Sequence, residues 1–219
     1  MIALQPRIGK LTFETEGSEQ GPFHSRVLTV PSARSGLTIG RGYDMKEKTA
    51  AKIFHDLSRI GVSKAVATLL STASGKYGEI AKKFIALPMP TVGKEPDSKK
   101  TLKNFEISQE QQVQLFNISY QETEAETKRI CMSPNTVNTY GACSWELLDS
   151  GIKEVIVDLT YRGDYTPKSR KFLQASVANN DPVEFQKIIS DRTLWPQVPP
   201  DRFKRRVDFF NSNVICKRP

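Results

Sequence analysis

The chain has 219 residues, 38% of them hydrophobic, and its 32 lysines and arginines against 24 aspartates and glutamates leave a net charge of +8. A chain of this size buries one substantial core or two closely joined lobes, and it holds no run of about 18 apolar residues able to span a bilayer. The basic surface draws polyanions, which leaves nucleic acid, acidic lipid and anionic cell-wall polymer open as partners.

The opening stretch, MIALQPRIGKL, lacks the apolar run and cleavage site of a secretory signal. We expect one folding unit that inserts into no membrane. Strand territory is confined to the first 43 residues, where RVLTV and GLTIG alternate apolar and other residues around the turn PSARSG. After Asp44 the pattern becomes helical, with Ala51, Phe54 and Leu57 at helical spacing and Gly61 ending the run.

Two further helices are expected near 63–70 and 77–87, followed by an exposed loop, PMPTVGKEPDSKK. SQEQ at 108–111 has the form of a capping box, and Val113, Phe116 and Tyr120 behind it give one face of a long helix reaching about Arg129. Apolar residues at 152, 155, 156 and 159 begin another helix, which GDYTP breaks, and three more are expected near 168–177, 182–190 and 201–210. The class is α+β, predominantly α, with a β-rich region at 1–45 and a helical lobe at 46–219.

Cys131, Cys143 and Cys216 form no CxxC pair, which argues against a metal site. Buried free thiols are the plainer reading, and a Cys131–Cys143 disulfide remains open for an oxidising compartment. RFKRR at 202–206 reads as one turn of an amphipathic helix, since no zinc-finger or RNA-binding signature accompanies it. His24 and His55 lack the partners of a nucleophile triad and are read as non-catalytic.

The β-rich region carries Glu14, Glu16, Glu19 and Asp44. Glycoside hydrolysis needs one carboxylic acid to protonate the leaving oxygen and a second group to activate water or attack the sugar. Glu16 and Asp44 are candidates for that pair, with Glu19 the fallback acid and Glu14 on the same face as Glu16 if the segment is extended. Each has a structural alternative: Thr38 as an ordinary strand threonine, Tyr43 as a core aromatic with a satisfied hydroxyl, Asp44 as the N-cap of the following helix.

TEGSE followed by TIGRGYD resembles the active-site region of phage-type lysozymes, and more closely the pesticin-like peptidoglycan-cleaving toxin domains. In the phage pattern the second carboxylate lies six residues before the threonine, where this chain has Ser32; in the pesticin-like pattern it lies six after, where Asp44 stands. WPQVPPDRFKRR resembles a second segment of the phage family, through Trp195, Pro200, Arg202 and Arg205, and IVDLTYRGDYTP resembles the helix and turn along the far wall of its cleft.

The resemblance implies a lysozyme-like fold, with a small β region beside a helical lobe and a cleft between them. It implies Glu16 as general acid, Thr38 and Asp44 holding the attacking water, and Tyr43, Tyr161 and Arg162 as substrate-binding residues. Arg202 would pair with and orient Glu16, or alternatively pack its stem on Trp195. The implied activity is that of an inverting muramidase cutting the β-1,4 bond between N-acetylmuramic acid and N-acetylglucosamine, with no metal or organic cofactor.

The GRGYDM variant points to an antibacterial toxin or secretion effector. Such a protein would be made in the cytoplasm, act as a monomer on the peptidoglycan of a target cell, and be held in check at home by an immunity protein. The alternatives are an inactive glycan-binding module of the same fold and, less well matched to the Glu16–Asp44 motif, a nucleic-acid-binding domain.

Overall fold

The computed structural model describes residues 4–19, 21, 24–90 and 100–215. It is predominantly helical, with ten α-helices and one two-stranded sheet among the described residues. No described helix is long and apolar enough to cross a membrane. By contacts the chain divides into two compact units, one of residues 1–7 and 16–119, the other of 8–15 and 120–219.

In the first unit, β1 (Thr38–Ile39) and β2 (Tyr43–Asp44) pair antiparallel, with Thr38 opposite Asp44 and Ile39 opposite Tyr43. The expected RVLTV strand is reduced to isolated bridges, Val27 with Glu106 and Thr29 with Thr38. Helices α2 (Ala50–Arg59), α3 (Lys64–Ser71) and α4 (Gly78–Ile85) follow. Thr49 caps α2 and Ser63 caps α3, each accepting a backbone N–H. The helix-cap alternative for Asp44 is thereby excluded. Leu37, Ile39, Tyr43, Met45, Ile53, Leu57, Leu70 and Leu115 are among the residues of this unit's core.

α5 (Gln109–Cys131) begins at the expected capping box: Ser108 N donates to Gln111 Oε1 at 2.9 Å, and Gln111 N to Ser108 Oγ at 3.2 Å. The division between the units falls inside this helix, after Ser119.

The second unit contains α1 (Lys10–Thr15), which packs on α7 (Ser150–Arg162) and α10 (Pro200–Ile215). α1 replaces the extended segment expected there, so Glu14 and Glu16 do not share a strand face. Its six residues are too few to hold as an isolated helix. Leu11 and Phe13 are buried, Leu11 N donates to Glu154 Oε1 at 3.1 Å, and Thr12 Oγ1 to Asp158 Oδ1 at 3.0 Å.

α6 (Pro134–Tyr140), which the sequence reading passed over, packs on α8 (Pro167–Ala178), and α8 on α9 (Pro182–Ser190). Gly163, left-handed at φ 82°, ends α7 where the break was expected. The basic run lies on α10 as anticipated: Arg206 is buried on Asp158 at 2.6 Å and Asp164 at 3.0 Å, while Lys204 and Arg205 face solvent. Cys131 and Cys143 are free, buried thiols; Cys216 lies outside the described residues.

Candidate functional site

The β1–β2 hairpin sorts its residues by face. Directly opposed residues in a ladder project to the same side, and consecutive residues to opposite sides. Ile39 and Tyr43, each 1% exposed, therefore go to the core, while Thr38 and Asp44 share the other, half-buried face. Tyr43 donates its hydroxyl to Asp56 Oδ2 at 2.9 Å. That is the core alternative for Tyr43; a side chain so enclosed presents no surface to a substrate, and the expected binding role is withdrawn.

Asp44 is held by backbone. Its Oδ2 accepts from Gly36 N at 3.0 Å and its Oδ1 from Lys46 N at 2.8 Å. Gly36 makes this possible, because a Cβ at that position would come within 2.3 Å of Asp44 Oδ1 and 2.5 Å of Lys46 Cβ. Thr38 Oγ1 donates to Gly36 O at 3.2 Å, so both polar side chains of this face are organised by the same glycine. Ser32, at the phage-type carboxylate position, is an exposed turn residue 2.8 Å from Ser35 Oγ.

Glu16 follows α1 immediately and is half-buried. Its chain neighbour is fastened to the hairpin. Arg41, between Gly40 and Gly42 at the tip and 5% exposed, donates Nη1 to the Gly17 carbonyl and Nη2 to Glu19 Oε1 at 2.6 Å. The same oxygen accepts from Gln112 Nε2 at 2.5 Å, and Glu19 Oε2 from Arg26 Nε at 3.1 Å. His24 Nδ1 is 2.7 Å from the Glu19 carbonyl oxygen, and its Nε2 is 3.1 Å from Glu106 Oε1. Arg26, Glu106 and His24 thus form the outer side of one charged cluster around Glu19.

Burial alone would raise the Glu19 pKa, but hydrogen bonds from Gln112 and Arg41 and the charges of Arg41 and Arg26 outweigh it and hold the carboxyl below its ordinary range. A carboxylate stabilised in its ionised form is a poor proton donor, so Glu19 is unsuited to the fallback acid role. It serves instead to tie the Glu16 segment to the hairpin. Sequence reasoning had Glu19 and overlooked Arg26, Arg41 and Gln112; the glycines flanking Arg41 were the available signal.

The remaining candidates belong to the second unit. Tyr161 and Arg162 close α7, both half-buried, with Arg162 Nε 3.1 Å from Asp164 Oδ2. Arg202 is in the first turn of α10 and is half-buried. The first unit therefore brings Thr38 and Asp44 face to face and anchors the residue after Glu16 to their hairpin. Within that unit Arg41 holds the backbone carbonyl that follows Glu16.

A family model described as a domain of unknown function, DUF8812, matches residues 9–207. The chain belongs to this family. The matched stretch includes Glu16, Thr38, Asp44, Arg41 and the whole basic run of α10. A search of curated proteins gave no match.

Proposed function

We propose that this DUF8812 protein is a lysozyme-like peptidoglycan hydrolase, a muramidase that protonates the glycosidic oxygen from Glu16 and directs water with Asp44 and Thr38. The observation that carries the reading is the Arg41 fastening. The tip of the hairpin that sets Thr38 opposite Asp44 also grips the carbonyl of Gly17, the residue after Glu16. A carboxylate and a hydroxyl on one hairpin face, with the backbone beside Glu16 fastened to that hairpin, suit a reaction that needs an acid and a positioned water. Two carboxyls and water supply the chemistry without a cofactor, and the excess of positive charge favours an anionic wall.

The lifestyle implied by the resemblance is part of the proposal: an antibacterial toxin or effector working on the wall of a target cell, with an immunity protein in the producer. A second reading, a glycan-binding module without turnover, is favoured by one observation. Both oxygens of Asp44 already accept backbone N–H groups, which leaves each fewer lone pairs for water.

Digestion of purified peptidoglycan with the wild type, Glu16→Gln and Asp44→Asn, followed by mass spectrometry of the products, separates the two. The muramidase releases fragments with reducing muramic-acid ends, and both substitutions reduce release by about 100-fold or more. Full activity in Glu16→Gln would overturn the assignment. Tight sedimentation with the wall but no release by the wild type would establish the binding module.

A further inference from the structure

Tyr77 is the one aromatic residue among the described residues that is exposed, at 54%. Every other described phenylalanine, tyrosine and tryptophan is buried or half-buried. Its location is unusual too. Tyr77 precedes α4 in an extended conformation, pairs antiparallel with Gly36, and is fixed further by Gly78 N donating to Ser35 O at 3.0 Å.

Opposed residues share a face, so the Tyr77 side chain projects to the side on which a Cβ of Gly36 would stand. That side is occupied by the Asp44 carboxylate and by Lys46. The Lys46 ammonium indeed lies over the Tyr77 ring, 5.5 Å from its centroid, while also donating to Arg34 O at 3.3 Å. An exposed ring steadied by a cation and a backbone bridge, beside a carboxylate, is a surface with one apolar plane and both signs of charge at its edge.

We propose that Tyr77 and Lys46 form a sugar-binding subsite beside Asp44, in which one face of a pyranose stacks on the Tyr77 ring and Lys46 meets a carboxylate of the glycan strand. The inference rests on the glycan reading of the site. A pyranose offers a face of C–H groups that matches the ring, and a muramic acid without its stem peptide carries the free carboxylate that matches the ammonium. A nucleic acid would also offer flat rings, but it brings a phosphate with every nucleotide to meet Asp44 and Glu47, whose carboxylate is 3.0 Å from the Lys46 ammonium, whereas a glycan strand brings at most one carboxylate per disaccharide.

The test is binding to the full chain carrying Glu16→Gln, titrated by calorimetry with a muramic-acid-containing tetrasaccharide, with chitotetraose, and with a single-stranded oligonucleotide. Adding Tyr77→Ala is expected to weaken both sugars about tenfold, and Tyr77→Phe to keep parental affinity. Lys46→Gln is expected to weaken the muramic-acid ligand about two- to fivefold and leave chitotetraose unchanged. Thermal unfolding verifies that each variant is folded.

Equal affinity of parent and Tyr77→Ala for both sugars overturns the subsite. So does Tyr77-dependent binding of the oligonucleotide with no binding of either sugar. Sugar binding that depends on Tyr77, in a protein whose wild type releases no reducing ends, retains the subsite and removes only the hydrolase reading.

Discussion

Arg41 must be paired to be tolerated, because its guanidinium is only 5% exposed. Its partners are a backbone carbonyl and the Glu19 carboxylate, so its removal frees the segment that carries Glu16. Arg41→Ala is expected to lower kcat on peptidoglycan by about 100-fold with KM little changed, with part of the loss restored by added guanidinium. In a Glu16→Gln background the same change should cost nothing further, an outcome that steady-state kinetics of the double variant checks. Glu19 gives the cluster a pH signature. Its folded pKa is below the ordinary value of 4.5, so its contribution to stability is complete above that value and is lost as pH falls through the lower, folded one. Glu19→Gln should therefore cost about 1–3 kcal/mol at pH 7, and the gap to wild type in melting temperature should narrow as pH falls below the ordinary carboxylate value. The Thr38–Asp44 half of this site was legible, because one local motif holds both residues and the turn between them. The clamp was not, since Gln112 meets Glu19 across a sequence separation of 93 and no local pattern announces such a pair.

At the scale of elements, α1 is held to α7 by groups that titrate. Glu154 accepts the Leu11 N–H, and burial first, then the neighbouring Asp158, raises its pKa above the usual carboxylate value. A carboxyl whose folded pKa is raised stabilises the fold most below the unfolded value, and that advantage is lost as pH rises through the folded one. Glu154→Gln keeps an oxygen for Leu11 and removes the charge, so it should raise the melting temperature at pH 7 and leave it unchanged at pH 4, as calorimetric scans at the two values would show. One turn further along α7, Asp158 forms a buried ion pair with Arg206 of α10. Removing either partner alone, as in Arg206→Ala, should cost about 3–5 kcal/mol, measurable by denaturant titration.

The long helices on this scale were readable because their signals are local. Ser108 and Gln111 opened α5, Gly163 ended α7, and α9 was expected over the same residues, 182–190, that it occupies. α1 was not readable: Leu11 and Phe13 alternate in KLTFET as they would in a strand, and only contacts more than 140 residues away make the segment a helix. α6 was missed for a related reason, since PNTVNTY is rich in residues of weak helix propensity and its start is marked mainly by Pro134 after Ser133.

For the whole molecule, the charge of +8 makes ionic strength a direct probe of what it engages. Release of fragments from an anionic wall should fall steadily between about 50 mM and 500 mM salt, while hydrolysis of an uncharged soluble glycan should change little, a contrast that a turbidity assay run beside a soluble-substrate assay would reveal. The composition of the two units also bears on how the protein comes into being. The second unit takes residues 8–15 from one end of the chain and 120–219 from the other. On the ribosome, α1 emerges before the other described helices, yet α7 and α10, the helices it packs against, emerge more than a hundred residues later. Leu11 and Phe13 must wait for those two helices before their native contacts form, a vulnerability to chaperone capture that a circular permutant with residues 8–15 moved behind α10 would remove.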